Sequence, residues 1–429
     1  MTISKEPRFH LDPAVAVMLR GASNGRATGA RWFILAGLIY VWVGSDHRTA
    51  TTAGLLLQLT VFTAIAQLTT RVPRSAEPVD YDTRAVTYLS NLMAVKLPAV
   101  KKAQRTDESV RVRGPRHSPV ILISPRSLTL WRRDYQIQAV QLAHEMGHIW
   151  ARDLAKSRFL SVGVCVVAVQ LLWIDSTSAS PDPWLVLVGA VTALINLRSY
   201  LRSREHAADF IAARLLGAEA RDALAETTTP EGWMPSLLRT HPSAEERRQA
   251  FNDPTALFLG LRLPLFAFGF NSAFALNMAT AAYRVALNEK SRTLPVQVLL
   301  PAFALLAAGS IGVTLSAGIP LVKAPVAKGW MRSYLLGTLT CFVTIALPHV
   351  RWSLVLAAVL AIAFLAKIYS GLSQLVFLML GKPENPGRGA YVFSQGVLAV
   401  GIWTIFVELV YFQTLQPIAH VIAWLPGIN

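Results

Sequence analysis

Residues 144–153 read HEMGHIWARD, and the interpretation of the whole chain starts from this decapeptide. On a helix, residues four apart share one face, so His144 and His148 can direct two imidazoles at one ion. Glu145 lies beside the first of them and can reach a water molecule bound to that ion. The residues just before the motif contain neither Gly nor Pro and repeat apolar side chains at helical spacing, which predicts a helix with Asp134 as its N-cap.

The spacing H-E-x-x-H is typical of zinc-dependent peptidases, in which two histidines bind the ion and the glutamate takes a proton from its water. Three fixed residues in five positions also occur by chance in many proteins, so the motif alone does not establish zinc chemistry. The rest of the chain has to supply a third ligand and a fitting architecture.

The composition is that of a membrane protein with several spans. The chain has 429 residues, of which 53% are hydrophobic and 15% charged, and its mean hydropathy is +0.41. Its net charge of +16 is explained by cytoplasmic loops rich in Lys and Arg. Because no DNA- or RNA-binding motif accompanies this charge, we expect no nucleic-acid partner.

The alternation of apolar and charged stretches predicts six segments. These are a basic N-terminal segment, a transmembrane hairpin, a cytoplasmic segment with the histidine motif, a second transmembrane hairpin, a second cytoplasmic segment and a multi-span C-terminal region, at residues 1–30, 31–70, 71–158, 159–198, 199–254 and 255–429. The loop at 175–183 has acidic residues and no cation, so it is expected outside, with the two soluble segments inside. About nine spans are expected in all, on the basis of length.

Two smaller features leave alternatives open. Residues 119–124 are β-branched and bounded by prolines, which predicts a strand that either lines a substrate cleft or lies in the core. Asn271 and Asn277 interrupt the apolar run 256–282, which is therefore either a span or a re-entrant segment.

A catalytic zinc site needs a third protein ligand, and Glu205 is the best candidate. The second hairpin returns the chain to the side of the motif just before this residue, and Asp209 follows one helical turn later, where it can orient a ligating histidine. His206 is a rival ligand that points about 100° away from Glu205 on a helix. The alternative is that Glu205 and Asp209 form a solvated face paired with nearby arginines.

Three motifs in this order resemble the family of HtpX and the type I CAAX prenyl proteases, which are integral-membrane zinc metallopeptidases of the gluzincin type. They are H-E-x-x-H followed by Asp153, then R-E-x-x-A-D at 204–209, then T-H-P at 240–242 with Arg247. The arrangement of spans around them is similar to HtpX. The likeness covers about residues 30–250, and the further C-terminal spans go beyond it.

The resemblance implies a role for each matching residue. It implies Zn²⁺, one per chain, bound by His144, His148 and Glu205, with Glu145 as the general base. It implies that Asp209 orients a ligand, that His241 lies near the reaction and helps to stabilise the oxyanion, and that Arg247 holds the catalytic helices together. Asp153 is expected close to this centre.

We therefore expect a mainly α-helical, polytopic membrane protein with a gluzincin-like domain built from two cytoplasmic segments. Its expected activity is that of a zinc metalloendopeptidase of the cell membrane, which cuts protein or peptide substrates, membrane proteins among them, at the cytoplasmic face. One alternative is a membrane sensor or transport protein with a non-catalytic protease-like domain, which the extra C-terminal spans favour. An intramembrane protease of the site-two type is disfavoured because charged residues surround His144. Substrate preference and oligomeric state do not follow from the sequence.

Overall fold

The computed structural model describes the following residues of the chain: 13–44, 48–79, 84–93, 95–103, 110–114, 118–151, 154–177, 183–216, 243, 245–247, 262–286, 333–334, 336–338, 340–341 and 344. The described part of the chain is mostly helical, as predicted. The described helices are α1 (Pro13–Val43), α2 (Arg48–Thr70), α3 (Arg84–Met93), α4 (Pro125–Arg133), α5 (Tyr135–Ala151), α6 (Leu154–Thr177), α7 (Pro183–Leu216) and α8 (Arg262–Ala286). The described strands are β1 (Glu77–Pro78), β2 (Ala99–Lys102), β3 (Val110–Arg113) and β4 (Val120–Ile123).

The chain divides into two compact units. The first unit takes its described residues from 1–20, 58–162 and 198–257, and it holds the sheet, α3, α4, α5 and the last part of α7. The second unit takes its described residues from 21–57, 163–197 and 258–429, and it is built of helices. The six predicted segments remain a prediction.

The first unit contains a four-stranded sheet with the strand order β1-β2-β4-β3. β4 pairs in parallel with β2 on one side and antiparallel with β3 on the other, and all four of its residues are buried. The predicted strand is thus present as a core strand. Because both of its edges are already paired, it has no edge to offer a peptide, and β3 is the edge strand on that side of the sheet.

Helix α5 packs against α3, α4 and the edge strand β3. Its start is fixed by Asp134, whose side chain accepts a hydrogen bond from the Ile137 N–H at 3.2 Å, as an N-cap does. The same residue ends α4, because its own N–H bonds the Leu130 carbonyl. Trp131 Nε1 donates to Gln141 Oε1 at 2.6 Å, which links the last turn of α4 to the middle of α5. The predicted N-cap is confirmed.

Three described helices are long and apolar enough to cross a membrane, namely Ala50–Leu68, Leu154–Ser176 and Trp184–Leu216. Helix α1, whose apolar part is short, does not meet this criterion. The sequence analysis places the end of the second hairpin at residue 198 and a soluble segment after it, and α7 runs without a break across this boundary. No proline follows Pro183 in this helix to interrupt it.

The second unit packs its helices closely through small residues. A methyl group at Gly269 of α8 would overlap the carbonyl oxygen of Tyr334, and one at Gly337 would overlap that of Phe266. Thr338 Oγ1 adds a hydrogen bond to the Gly269 carbonyl at 3.2 Å. Such backbone-to-backbone crossings are typical of helices that associate in lipid.

Asn271 is fully buried in α8 and accepts a hydrogen bond from Thr192 of α7 at 3.0 Å. Asn277 donates to the Ala273 carbonyl of its own helix. The predicted spans at 294–319, 353–380 and 391–415 lie outside the described residues.

Candidate metal centre

Helix α5 places the histidine motif against the last part of α7. His144 and His148 are both buried, and their rings meet edge to face with centroids 4.8 Å apart. Gly147 lies between them in sequence and faces Ala208: a Cβ atom added to this glycine would lie 3.0 Å from the Ala208 Cα. The absence of a side chain at Gly147 therefore lets the two helices approach closely enough for a residue of α7 to reach the imidazoles.

That residue is Glu205. Its Oε2 lies 3.5 Å from His144 Nε2 and its Oε1 lies 3.6 Å from His148 Nε2. One donor atom from each of the three residues lies within 4.8 Å of the others, and all three residues are buried. Two imidazole nitrogens and one carboxylate oxygen are a donor set that zinc takes in catalytic sites, so the residues present fit the ion that the motif implies.

Asp209 contacts the Nδ1 side of the His144 ring. Its Oδ1 lies 2.7 Å from His144 Nδ1, and its side chain is completely buried. A proton on Nδ1 of this imidazole leaves Nε2 free to bind a metal. Arg247 is also buried, and its Nε lies 3.4 Å from Asp209 Oδ2, so the arginine ties a later part of the second soluble segment to α7.

The two carboxylates also hold a proton on His144 when no metal is bound. Burial alone lowers the pKa of His144, but the negative charges and hydrogen bonds of Asp209 and Glu205 outweigh it and raise this pKa to about 10. Binding of a metal at neutral pH would therefore release a proton from His144.

Glu145 is buried beside the metal cluster and contacts the edge strand. Its Oε2 accepts a hydrogen bond from the Val112 N–H at 2.9 Å. Burial raises the pKa of Glu145, against the opposing effect of His148 and His144. A carboxyl group with a raised pKa is a better proton acceptor than an exposed one, which suits a general base.

The remaining predicted site residues have different outcomes. Asp153 and His241 lie outside the described residues. Among the described residues, the cluster of possible metal ligands contains Glu205 and not the rival His206.

Sequence reasoning missed the contact of Val112 with Glu145, since it joins residues from separate elements. The one local signal for it is the alternating Val-Arg pattern of β3, which is typical of a half-buried strand.

Comparison with known proteins agrees with this geometry. Residues 118–255 match the family model described as Peptidase family M48, and this range contains His144, His148 and Glu205. No curated protein and no solved structure matches the chain. The matched segment, which contains the three-residue metal cluster, thus resembles peptidase family M48, the family that contains HtpX and the CAAX prenyl proteases and whose members are zinc-dependent metallopeptidases.

Proposed function

We propose that this protein is a membrane-embedded zinc metalloendopeptidase that hydrolyses peptide bonds of protein substrates at the cytoplasmic face. The observation that carries the proposal is the buried cluster of His144, His148 and Glu205 with Glu145 next to it, inside a segment that matches a metallopeptidase family. The cations in the segments that flank the candidate spans support the cytoplasmic orientation. The motif order around a hairpin supports an HtpX-like rather than a prenyl-protease-like arrangement.

Each residue of the site would have its own role in the proposed reaction. A zinc ion held by His144, His148 and Glu205 would polarise the substrate carbonyl and make a water molecule more acidic. Glu145 takes a proton from the attacking water and passes it to the leaving amine. His241 is proposed as a donor to the oxyanion, on the resemblance alone.

The supporting residues keep this centre in one geometry. Asp209 fixes the orientation and tautomer of His144, and Arg247 holds Asp209 from the other side. The Val112 N–H holds the carboxylate of Glu145 against the edge strand. Burial excludes bulk water from these groups, which strengthens each charged interaction.

The test compares zinc content and casein cleavage of the purified protein in detergent. Glu145→Gln should retain zinc and lose cleavage by roughly 10²- to 10⁴-fold, because it removes the proton acceptor and no ligand. His148→Ala should lose both zinc and cleavage, because it removes one of three ligands. Glu77→Gln, on the exposed edge strand β1, is the matched control and should keep both.

Full cleavage by the Glu145→Gln protein would refute the mechanism. A wild-type protein that binds zinc and leaves casein and other unfolded proteins intact would favour instead a sensor or transport protein with a non-catalytic domain.

A further inference from the structure

Glu205, the third candidate ligand, makes a contact through its carboxylate that plays no part in the roles described above. Arg204, the residue just before Glu205, donates from NH2 to Glu205 Oε1 at 2.7 Å. The side chain of Glu205 is 5% exposed and that of Arg204 is 17% exposed, so water screens this pair only weakly. One of the two carboxylate oxygens of the ligand is thus engaged by a guanidinium group.

This contact is not a default of helix geometry. Side chains at adjacent positions of a helix point about 100° apart and do not face each other, so Arg204 has to bend back along α7 to reach Glu205. Something outside α7 has to hold the arginine in that conformation, because a free arginine side chain has many rotamers.

Ser157 of α6 provides this support. The Ser157 hydroxyl is buried and accepts a hydrogen bond from Arg204 NH1 at 2.9 Å. Its own proton goes to the Leu154 carbonyl at 2.8 Å, which directs its lone pairs at the arginine. The first turn of α6, the guanidinium and the ligand carboxylate therefore form a chain of hydrogen bonds that ends at the metal cluster.

We propose that Arg204 is a positioning residue for the metal: held by Ser157, it engages Oε1 of Glu205 so that the carboxylate binds the ion through one oxygen, Oε2. This inference rests on the proposed function and goes beyond it. Glutamate that binds through both oxygens would fill the coordination position that a catalytic zinc site keeps open for water. Arg204 would thus act on the number of ligands around the ion and not on the reacting atoms.

The experiment measures metal binding rather than activity. Zinc affinity is determined by competition with a chelator, and the visible absorption of the Co²⁺-substituted protein reports coordination number, because four-coordinate Co²⁺ absorbs more strongly than five-coordinate Co²⁺. Arg204→Gln should weaken zinc binding by roughly 10- to 100-fold, as loss of other groups that orient a ligand does, and should lower the Co²⁺ absorption. Ser157→Ala should cause a smaller loss, roughly 3- to 10-fold.

Two further variants separate positioning from a general effect on the fold. Arg204→Lys keeps a positive donor for Oε1 and should recover most of the affinity and absorption lost in Arg204→Gln. Arg214→Gln removes a charge from the exposed end of the same helix, where the guanidinium stacks on Phe210, and should bind both ions as the wild type does.

Equal zinc affinity and equal Co²⁺ spectra for Arg204→Gln and Arg214→Gln would overturn the proposal. A weaker affinity with an unchanged Co²⁺ spectrum, accompanied by a matching fall in the melting temperature of the metal-free protein, would also overturn it, since that is the signature of a merely structural residue. A wild-type protein that binds no zinc would refute the proposed function itself, which sets that failure apart from the failure of the positioning role.

Discussion

The first unit gathers four ionisable side chains into one buried cluster, whereas the helix contacts described above for the second unit are made by neutral groups and glycines. In the first, Glu205 and Asp209 of α7 face His144 of α5 at hydrogen-bonding or near-bonding distance. In the second, Thr192 contacts Asn271. Arg26 and Asp175 are buried there too. A buried charge costs far more than a buried amide or hydroxyl, so the cluster of the first unit lowers the stability of the metal-free protein by an amount that a bound metal would offset.

The largest effect should come from the close helix crossing of the second unit. Gly337→Ala places a methyl group into the carbonyl oxygen of Phe266, so the two helices have to separate, and we expect a loss of about 3 kcal/mol. Thermal unfolding in detergent measures it.

Gly54→Ala is the matched control, because nothing lies within 4 Å of the added atom. It should leave the melting temperature unchanged or raise it, since alanine favours a helix over glycine by about 1 kcal/mol. If both alanine variants melt at the same temperature, tight packing does not hold the second unit together.

A smaller effect, seen in metal binding rather than in folding, is expected in the first unit. Asp209→Asn keeps the shape of the side chain but removes the charge that orients His144, and zinc affinity should fall by roughly 10- to 100-fold. Competition with a chelator measures the change. An unaltered zinc affinity would mean that packing alone orients the His144 imidazole. The proposed difference between the two units, buried charge in one and neutral contacts in the other, would then have no effect on metal binding.

The smallest effect should come from the neutral hydrogen bond of the second unit. Thr192→Val removes the donor to Asn271 with little change of shape, and hydrogen bonds between helices in membranes contribute on average about 0.6 kcal/mol. The control is Thr340→Val, whose exposed hydroxyl bonds only the Leu336 carbonyl of its own helix among the contacts described for it. A loss above about 2 kcal/mol specific to Thr192 would show that polar contacts matter as much in this unit as in the first.

The metal cluster was predictable because its signals are local. The spacing of His144 and His148 follows from the helical repeat, and Glu205 is the first acidic residue after the second apolar hairpin, on the side to which the chain returns. Asp134 carries a cap signature that any helix start would show. Each of these inferences needs only a few neighbouring residues and the period of one element.

The features that the sequence did not predict depend mostly on how distant segments of the chain pack together. Nothing local indicates that β4 lies inside the sheet and β3 at its edge, because strand order is set by tertiary packing. Arg204, which bends toward Glu205, also donates a hydrogen bond to Ser157, a residue 47 positions away in the sequence. The continuity of α7 was missed because the change from apolar to charged residues looks like the end of an element, although a helix can continue from lipid into water without a change in backbone.

The unbroken course of α7 bears on the depth at which the proposed peptidase would act. From Trp184 to Glu205 the helix advances by about 32 Å, at 1.5 Å per residue, and the hydrocarbon layer of a bilayer is about 30 Å thick. If the helix enters the lipid near Trp184, its glutamate emerges at the level of the phosphate headgroups. A peptide bond that the proposed enzyme cuts would then have to come within a few ångströms of the lipid surface, which favours a loop that barely clears the bilayer over the far end of a tall soluble domain.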